Sequence, residues 1–197
     1  MKQSTANVAP QPKTTAQKIF RRIKEFLALY VFSRGDRVRY LRRLGVRIGE
    51  GCQILTSVDA FGTEPWLIEI GSRVTITRGV IFLTHDGASR LFRDQIPGGS
   101  RYGNRFGPIL IHDNSFIGVN SILLPGVKVG PNSIVGVGSV VNKDVPPNMV
   151  YAGVPAKPIM TLEEYIESYK SKMLPIQASD REALREELTR HFWGEKR

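Results

Sequence analysis

The chain has 197 residues, a formal net charge of +10, three histidines and one cysteine. This length is enough for one domain with a substantial core, and a single cysteine, Cys52, excludes an intrachain disulfide framework. Residues 1–47 hold twelve Lys or Arg and two acidic residues, whereas the rest of the chain is neutral overall. Such a segment suits an anionic lipid surface, an acidic substrate or simple solvation. Nucleic acid is not a predicted partner, because no binding motif or aromatic platform accompanies the charge.

Residues 1–15 are polar and basic, and they are predicted to form a disordered tail. Residues 16–44 are predicted to form an amphipathic helical segment, because apolar residues recur at helical spacing between Ile19 and Val31. That helix is too short and too charged to span a membrane, and no small-residue cleavage site follows it. Two interpretations stay open: the helix caps the following domain or packs on a neighbouring subunit, or it lies on a membrane surface.

From Ile48 onward, large apolar residues recur at a step of six, and a small or β-branched residue stands four positions after each of them except Phe82. These apolar markers are Ile48, Ile54, Ile70, Ile76, Phe82, Ile111, Ile117, Leu123, Val129, Val135 and Val141. A six-residue period is typical of a parallel β-helix, in which each hexapeptide forms one flat face and a turn. The markers are expected to fill the interior of the β-helix. The glycines that often follow them are expected to let the backbone turn without a Cβ clash. A β-sandwich is not predicted, because its strands hold no such register.

The period predicts a parallel β-helix over residues 45–160, interrupted near residues 60–69 and by a longer loop at 87–108. Of the three histidines, His85 stands where this loop leaves the repeat. A long loop inside a regular solenoid breaks the stacking and costs entropy, so it is usually functional. A histidine at its rim is placed to act as a general base near neutral pH.

Residues 161–197 are predicted to form two C-terminal helices. The first is expected to begin at Thr161, where Glu164 completes a capping box. The second is expected to begin at Ser179, with Glu182 as its reciprocal cap.

From Gly45 to Thr161 the chain resembles the hexapeptide-repeat acyltransferases, especially the maltose- and galactoside-acetyltransferase type and relatives that modify bacterial surface sugars. The residues that carry the likeness are THDG at 84–87 and, after the loop, PILIHDNSFIGVNSILLPGVKVGPNSIVGVGSVVNKDVPPNMVYAGVPAKPI. The resemblance implies a left-handed parallel β-helix that assembles as a homotrimer with sites between subunits. It also implies acetyl-CoA as the acyl donor, no metal, and a sugar hydroxyl, free or on a nucleotide- or lipid-linked glycan, as acceptor. Capsule or lipopolysaccharide biosynthesis in the cytoplasm, or at the inner membrane face, is the expected setting.

The resemblance assigns roles to individual residues. His85 matches the general base that deprotonates the acceptor for direct attack on the thioester, without an acyl-enzyme. The cofactor-binding residues that it implies are Val119 and Val137 beside the pantetheine arm, Asn142 and Lys143 at the far end of the cofactor, and Lys157 at its 3′-phosphate. The chain departs from the family pattern at Met160, where a second basic residue is expected.

The acceptor side is expected to involve the interruption at 57–66, which should project near His85. Asp59 or Glu64 could orient the imidazole or hold a sugar hydroxyl, and Trp66 could stack on a sugar ring. A cap at a turn for Asp59 and a packing anchor for Trp66 are equally compatible with the sequence. Asp86 is not assigned to the base, because neighbouring residues on a strand point to opposite sides.

Other functions fit the sequence less well. N-acetylation of an amino sugar nucleotide and a non-catalytic β-helix scaffold are the main alternatives. A γ-type carbonic anhydrase needs three histidines around zinc, and His112 and His191 do not have suitable spacing with His85. A serine acetyltransferase carries a long helical N-terminal domain that this sequence lacks.

Overall fold

The computed structural model describes residues 34–98 and 103–194. Most of its strands are only two residues long, as expected for hexapeptide faces. In chain order they are β1 (Arg47–Ile48), β2 (Gln53–Ile54), β3 (Ile68–Ile70), β4 (Thr75–Ile76), β5 (Ile81–Phe82), β6 (His85–Asp86), β7 (Arg105–Phe106), β8 (Ile109–Ile111), β9 (Phe116–Ile117), β10 (Ile122–Leu123), β11 (Lys128–Val129), β12 (Ile134–Val135), β13 (Val140–Val141), β14 (Met149–Ala152) and β15 (Lys157–Thr161).

Three parallel sheets form the faces of a prism. The first sheet has the order β1-β3-β8-β11, the second β2-β4-β9-β12-β14 and the third β5-β10-β13. Successive strands along the chain alternate between the sheets, so that the chain winds in coils. Phe82 pairs with Leu123, which in turn pairs with Val141, so the loop between β5 and β8 does not shift the register.

All eleven predicted markers are buried inside the prism, as the six-residue period predicts. The residues four positions later are also buried, except for half-buried Cys52 and Val58 in the first coil and for exposed Asp86, where the hairpin has already left the prism. The first coil has another coil on only one side, which leaves Cys52 and Val58 partly uncovered. The Cys52 thiol donates to the carbonyl of Gly71, 3.0 Å away.

Some of the glycines that follow the markers serve the stacking of coils, whereas Gly130, with φ of +82°, allows the backbone to turn as expected. A Cβ at Gly118 would lie 2.7 Å from backbone atoms of the next coil at Val135 and Gly136, and Gly49 is similarly confined. Neither glycine has a positive φ. The expectation that these glycines relieve a turn is therefore wrong at both positions, because the contact that excludes a side chain is between coils.

One corner of the prism carries a ladder of asparagines that the sequence analysis did not identify. Asn114, Asn132 and Asn148 adopt left-handed backbone angles, with φ of 56°, 53° and 60°. Their amides connect the coils, with Nδ2 to Oδ1 distances of 2.8 Å and 3.1 Å. Asparagine suits this corner because it tolerates the left-handed conformation and supplies both a donor and an acceptor.

Helix α1 (Arg34–Arg43) closes the lower end of the prism. Its Leu41 is fully buried in the core. Arg37 donates to the carbonyls of Ile54 and Thr56, and Arg42 to that of Ile48. These bonds cover backbone groups of the lowest strands, whose edge would otherwise be open. The predicted tail over 1–15 and residues 16–33 of the predicted helical segment 16–44 lie outside the described residues, and α1 belongs to the described remainder of that segment.

At the other end, β15 folds back antiparallel on β14. Two helices follow, α2 (Leu162–Lys170) and α3 (Arg181–Trp193). The expected cap of the second helix at Ser179 is wrong. Asp180 occupies that position, and its carboxylate accepts the N–H groups of Glu182 and Ala183 at 2.9 Å. Within the described residues, no helix is long and apolar enough to cross a membrane.

The close approach of the coils makes a prediction for Gly118. We expect Gly118→Ala to lower the free energy of unfolding by about 1–3 kcal/mol, because its methyl group would collide with rigid backbone. Gly103→Ala is the matched control, since a Cβ there meets nothing within 4 Å, and it should change stability by less than about 0.5 kcal/mol. Urea unfolding at a fixed protein concentration measures both, and equal effects would contradict the prediction.

Candidate functional site

The site begins after β5, which forms the third face of the second coil, made of β3, β4 and β5. After β5, the coil path ends and β6 pairs antiparallel with β7, with His85 opposite Phe106. The predicted loop over 87–108 is therefore a hairpin, and His85 stands at its base. Gly107 donates its N–H to the carbonyl of Thr84 at 2.9 Å, which fixes the two arms of the hairpin to each other.

The segment 57–66 takes the place of a third strand in the first coil, directly below β5. It contains two 3-10 helices, Val58–Phe61 and Pro65–Leu67. The ring of Phe61 stacks on that of Phe82 at a centroid distance of 4.6 Å. Gly62, with φ of +68°, turns the chain so that it passes close to the carbonyl of Phe82. This path brings the next residues beneath the base of the hairpin.

Glu64 is the carboxylate that the segment delivers to His85. Its Oε2 lies 2.8 Å from Nδ1 of His85 and 2.8 Å from the hydroxyl of the buried Thr84. Its Oε1 accepts from the Thr63 hydroxyl at 2.6 Å. The Glu64 side chain is 17% exposed and that of His85 is 36% exposed, so the pair lies at the edge of the protein with the imidazole facing outward.

Electrostatics fix the protonation pattern of this pair. Burial favours the neutral form of Glu64, but hydrogen bonds from Thr63, His85 and Thr84 outweigh it and hold the pKa of Glu64 below the usual range. A carboxylate that is ionised can only accept. Nδ1 of His85 must therefore donate to it, and in the neutral imidazole Nε2 carries the lone pair. The arrangement can take up a proton at Nε2 and stabilise the resulting positive charge.

Phe106 covers one side of the imidazole. The two ring centroids are 5.6 Å apart at an angle of 49°, and Phe106 is itself exposed. The carboxylate of Asp86 instead accepts the N–H of Ala88 at 2.8 Å. Asp86 therefore supports the start of the hairpin, in agreement with its omission from the predicted site.

The other two predicted acceptor-side residues lie elsewhere on the segment 57–66. Asp59 is exposed in the first 3-10 helix, and the carboxylate that contacts His85 is that of Glu64. Trp66 is exposed, and its Cβ lies against the turn at Gly45. The structure thus separates the two candidate carboxylates by geometry, which the sequence could not do.

The five predicted cofactor-binding residues are exposed; four of them fall into two groups, and the fifth, Lys157, is on another element. Val119 and Val137 stack at the corner that precedes the third face, where Gly138 donates to the carbonyl of Val119 at 2.8 Å. Asn142 and Lys143 follow β13 and stand above β5 on the corner that also carries His85, about two coil spacings away. Lys157 is exposed at the start of β15, and half-buried Met160 lies further along that strand. One chain alone does not bring the two groups together.

Thr63, Thr84 and Phe106 contact the site but were not predicted from the sequence. Thr84 precedes His85 directly, and Phe106 stands opposite it in the hairpin, so antiparallel pairing of the loop arms would have identified both. His112 and His191, expected to lie apart from the site, are exposed on other elements. Among residues 34–98 and 103–194, no three His, Cys, Asp or Glu side chains are grouped as metal ligands.

Comparison with known proteins identifies the family. The family described as bacterial transferase hexapeptide (six repeats) matches residues 108–143. Protein CapG of Staphylococcus aureus is 51% identical over 127 residues, which are 64% of this chain and 71% of CapG. The chain belongs to the hexapeptide-repeat transferases. It is an acyltransferase of this family, as the resemblance implied.

Further members share shorter regions or the fold alone. Galactoside O-acetyltransferase of Escherichia coli is 42% identical over 72 residues, 36% of either chain. The hexapeptide-repeat acetyltransferase VCA0836 of Vibrio cholerae, solved in complex with acetyl coenzyme A, aligns with a TM-score of 0.57 and 23% identity. That alignment covers 76% of this chain and 90% of the other. It supports the left-handed parallel β-helix expected for this transferase.

The lowered pKa of Glu64 makes the stability of this transferase depend on pH. Ionised Glu64 stabilises the fold above its unfolded pKa, about 4.3, and this contribution is lost as the pH falls through the lower folded value. We expect Glu64→Gln to be less stable than wild type by about 1 kcal/mol or more near pH 7, with the difference shrinking in acid. Unfolding measured across this range tests it. Asp59→Asn, an exposed carboxylate of the same segment, is the control, and a difference independent of pH would contradict the assignment.

Proposed function

We propose that the chain transfers an acetyl group from acetyl-CoA to a sugar hydroxyl, with His85 as the general base. The observation that carries this proposal is the contact of Nδ1 of His85 with Glu64 at 2.8 Å, which leaves Nε2 available on a half-exposed imidazole. A base with one nitrogen fixed by a carboxylate and the other facing solvent is the arrangement that general-base catalysis requires.

The proposed reaction is direct transfer. The acceptor hydroxyl gives its proton to Nε2 of His85 while its oxygen bonds to the thioester carbonyl carbon. The carbon–sulfur bond then breaks, and the imidazolium returns the proton to the departing thiolate. Backbone N–H groups near the site would stabilise the oxyanion formed between these steps, and ionised Glu64 would stabilise the imidazolium.

The donor is proposed to bind between subunits of a homotrimer. Val119 and Val137 stand on one corner of the prism, and Asn142 and Lys143 stand on the corner of His85. A cofactor that touches both groups therefore needs the corner of a second copy. Exposed Lys157 suits the 3′-phosphate as a point charge, and Met160 removes one expected basic contact at that end.

The acceptor is proposed to be a glycan of a bacterial surface polysaccharide, such as capsule or lipopolysaccharide. The galactoside O-acetyltransferase of E. coli, whose name states transfer to a sugar hydroxyl, supports this class of acceptor. An amino group of a sugar nucleotide is the alternative acceptor. The exposed Trp66, two positions after Glu64, is proposed to contribute to the sugar site, and Asp59 to take at most a secondary part.

The enzyme is proposed to act in the cytoplasm, with peripheral contact to the inner membrane face through residues 16–47. Arg37 and Arg42 are engaged with backbone carbonyls of the first coil, and Arg47 pairs with Glu69 at 3.0 Å. The charge for lipid contact would therefore come from the part of this segment that precedes Arg34, together with exposed Arg39 and Arg43.

Removal of the base tests the catalytic proposal. We expect His85→Ala to lower turnover roughly 100-fold or more, because proton transfer by a positioned base contributes this much. Its affinity for acetyl-CoA, measured by calorimetry, should stay near that of wild type. His112→Ala is the matched control, because this exposed histidine is not proposed to be part of the site.

Two results would contradict the proposal in different ways. Near-normal turnover of the His85→Ala variant would remove this residue from the role of base. A wild-type protein that does not bind acetyl-CoA at millimolar concentration would favour another acyl donor or a scaffold. A panel of sugars and amino sugars, with product analysis by mass spectrometry, separates O-acetylation from N-acetylation.

Glu64 is proposed as the positioning residue for the base. We expect Glu64→Gln to lower kcat roughly 10- to 100-fold with little change in the KM for acetyl-CoA, because an amide does not stabilise the imidazolium. Asp59→Asn should leave kcat within about twofold of wild type. The pH dependence of kcat is the decisive readout. It should shift in the Glu64 variant and not in the Asp59 variant, and equal profiles would assign Glu64 a purely structural part.

A further inference from the structure

The hairpin that starts at His85 exposes large apolar side chains. Within its described residues 87–98, here called the hairpin tip, Leu91 is 80% exposed, Phe92 49% and Ile96 44%. Exposed apolar clusters of this kind mark surfaces that meet a partner or a membrane. The catalytic proposal does not use any of these three side chains.

The hairpin tip is a folded element that holds these side chains together. It consists of two short 3-10 helices, Ala88–Leu91 and Arg93–Gln95. The Gln95 amide donates to the carbonyl of Leu91 at 3.2 Å, and the Ser89 hydroxyl donates to that of Gly103 at 3.1 Å. The three apolar side chains thus project from a double turn of six consecutive residues.

Cationic groups are interleaved with the apolar ones. Arg90 and Arg93 flank Leu91 and Phe92, and Arg105 lies on the return strand. The acidic residues of the same region are Asp94 and Asp86, and the carboxylate of Asp86 accepts the N–H of Ala88. Apolar side chains between guanidinium groups match the boundary between acyl chains and anionic head groups.

The position of the hairpin in the prism also favours a membrane surface as its partner. Strand β5 is the lowest strand of its sheet, and the hairpin leaves the prism three residues beyond Phe82. Helix α1 bonds to the lowest strands of the other two sheets. The hairpin base in the second coil and the point where residues 1–33 join the fold therefore lie within two coils of the same end of the prism. Those 33 residues contain six Lys or Arg and one Glu.

We propose that the hairpin tip docks on an anionic membrane surface, so that the acceptor reaches His85 as a glycan anchored in that membrane. The proposal rests on the proposed transferase function and specifies its substrate class as lipid-linked. The insertion of Leu91, Phe92 and Ile96 supplies apolar burial, and the arginines supply the preference for anionic head groups.

A second copy of this chain fits the hairpin tip less well than a membrane. A contact between two hairpin tips would bring Arg90 and Arg93 of both copies together, and this like-charge contact does not arise on an anionic bilayer. An anionic bilayer instead attracts the hairpin tip and the basic N-terminal segment together. Two separate contacts on one surface would also reinforce each other.

Co-sedimentation of the full chain with lipid vesicles tests the proposal. The vesicles contain phosphatidylcholine alone or phosphatidylcholine with phosphatidylglycerol at about one part in three. The double variant Leu91→Ser and Phe92→Ser should bind the anionic vesicles about tenfold more weakly than wild type. Ile159→Ser is the matched control, because this exposed residue lies on β15 at the opposite end of the prism, and binding should stay within about twofold.

Two further variants separate what the arginines and the N-terminal segment each contribute to vesicle binding. Arg90→Gln with Arg93→Gln should reduce the preference for anionic over neutral vesicles severalfold. Deletion of residues 1–33 should weaken binding further when combined with the Leu91 and Phe92 substitutions. Light scattering and calorimetry with acetyl-CoA establish that each variant keeps the assembly state and donor site of the wild type.

Three outcomes would overturn the docking proposal. They are absent binding of wild type to anionic vesicles, unchanged binding of the Leu91 and Phe92 double variant, and a change of assembly state in that variant, which would assign the hairpin tip to a contact between copies. The transferase proposal is judged separately by acetyl-CoA binding and turnover of soluble sugars, so that the failure of one proposal is distinct from that of the other.

Discussion

Each coil of the prism can bury its inward side chains only against the coil above or below it. This constraint governs the structure, because a single coil of two-residue strands has no interior of its own. It explains why the register of Phe82, Leu123 and Val141 survives a long hairpin between the second and third coils. It also explains why the ends carry special elements: α1 with its arginines at one end and the β14–β15 pair at the other.

The candidate site arises where the constraint is relaxed. The third face of the first coil is not a strand, and the second coil ends its third face in a hairpin. The two departures lie directly above one another, so that a carboxylate from one meets a histidine from the other. Phe61 stacked on Phe82 restores the packing that the missing strand would have supplied. The polar contacts of Glu64 therefore sit on a well-packed base rather than on a mobile loop.

Much of the fold could be predicted from the sequence, because the six-residue spacing of apolar residues identifies the side chains that fill the interior of the β-helix. The position of His85 followed as well, because a break in a regular repeat is visible in the sequence. The choice between Asp59 and Glu64 did not, since it depends on the backbone path through Gly62 and two 3-10 helices. The cap at Asp180 was missed for a similar reason, as Ser179 and Asp180 are both good cap residues and differ by one position. The roles of Val119, Val137, Asn142, Lys143 and Lys157 remain predictions, because they require a donor and a second chain.

The asparagine ladder and the arginine caps could have been read from the sequence with the fold in hand. Asn114, Asn132 and Asn148 each stand one or two residues before a strand of the same sheet, and their left-handed backbone is the shared reason for their identity. The basic residues of α1 were expected to face solvent, lipid or an acidic substrate, yet Arg37 and Arg42 donate to carbonyls of the first coil. The charge pattern of a sequence does not by itself distinguish an arginine that bonds to strand carbonyls from one that faces solvent or a partner.

Glu64 and the hairpin tip come from different segments of the chain, joined only at His85. The carboxylate is fixed by Thr63, Thr84 and the stacked phenylalanines, none of which belongs to residues 87–98. Insertions, deletions or exchanges in the hairpin tip can therefore accumulate without disturbing the alignment of the imidazole. A scaffold built in this way can exchange its most exposed surface while the contact between the carboxylate and the imidazole keeps its geometry.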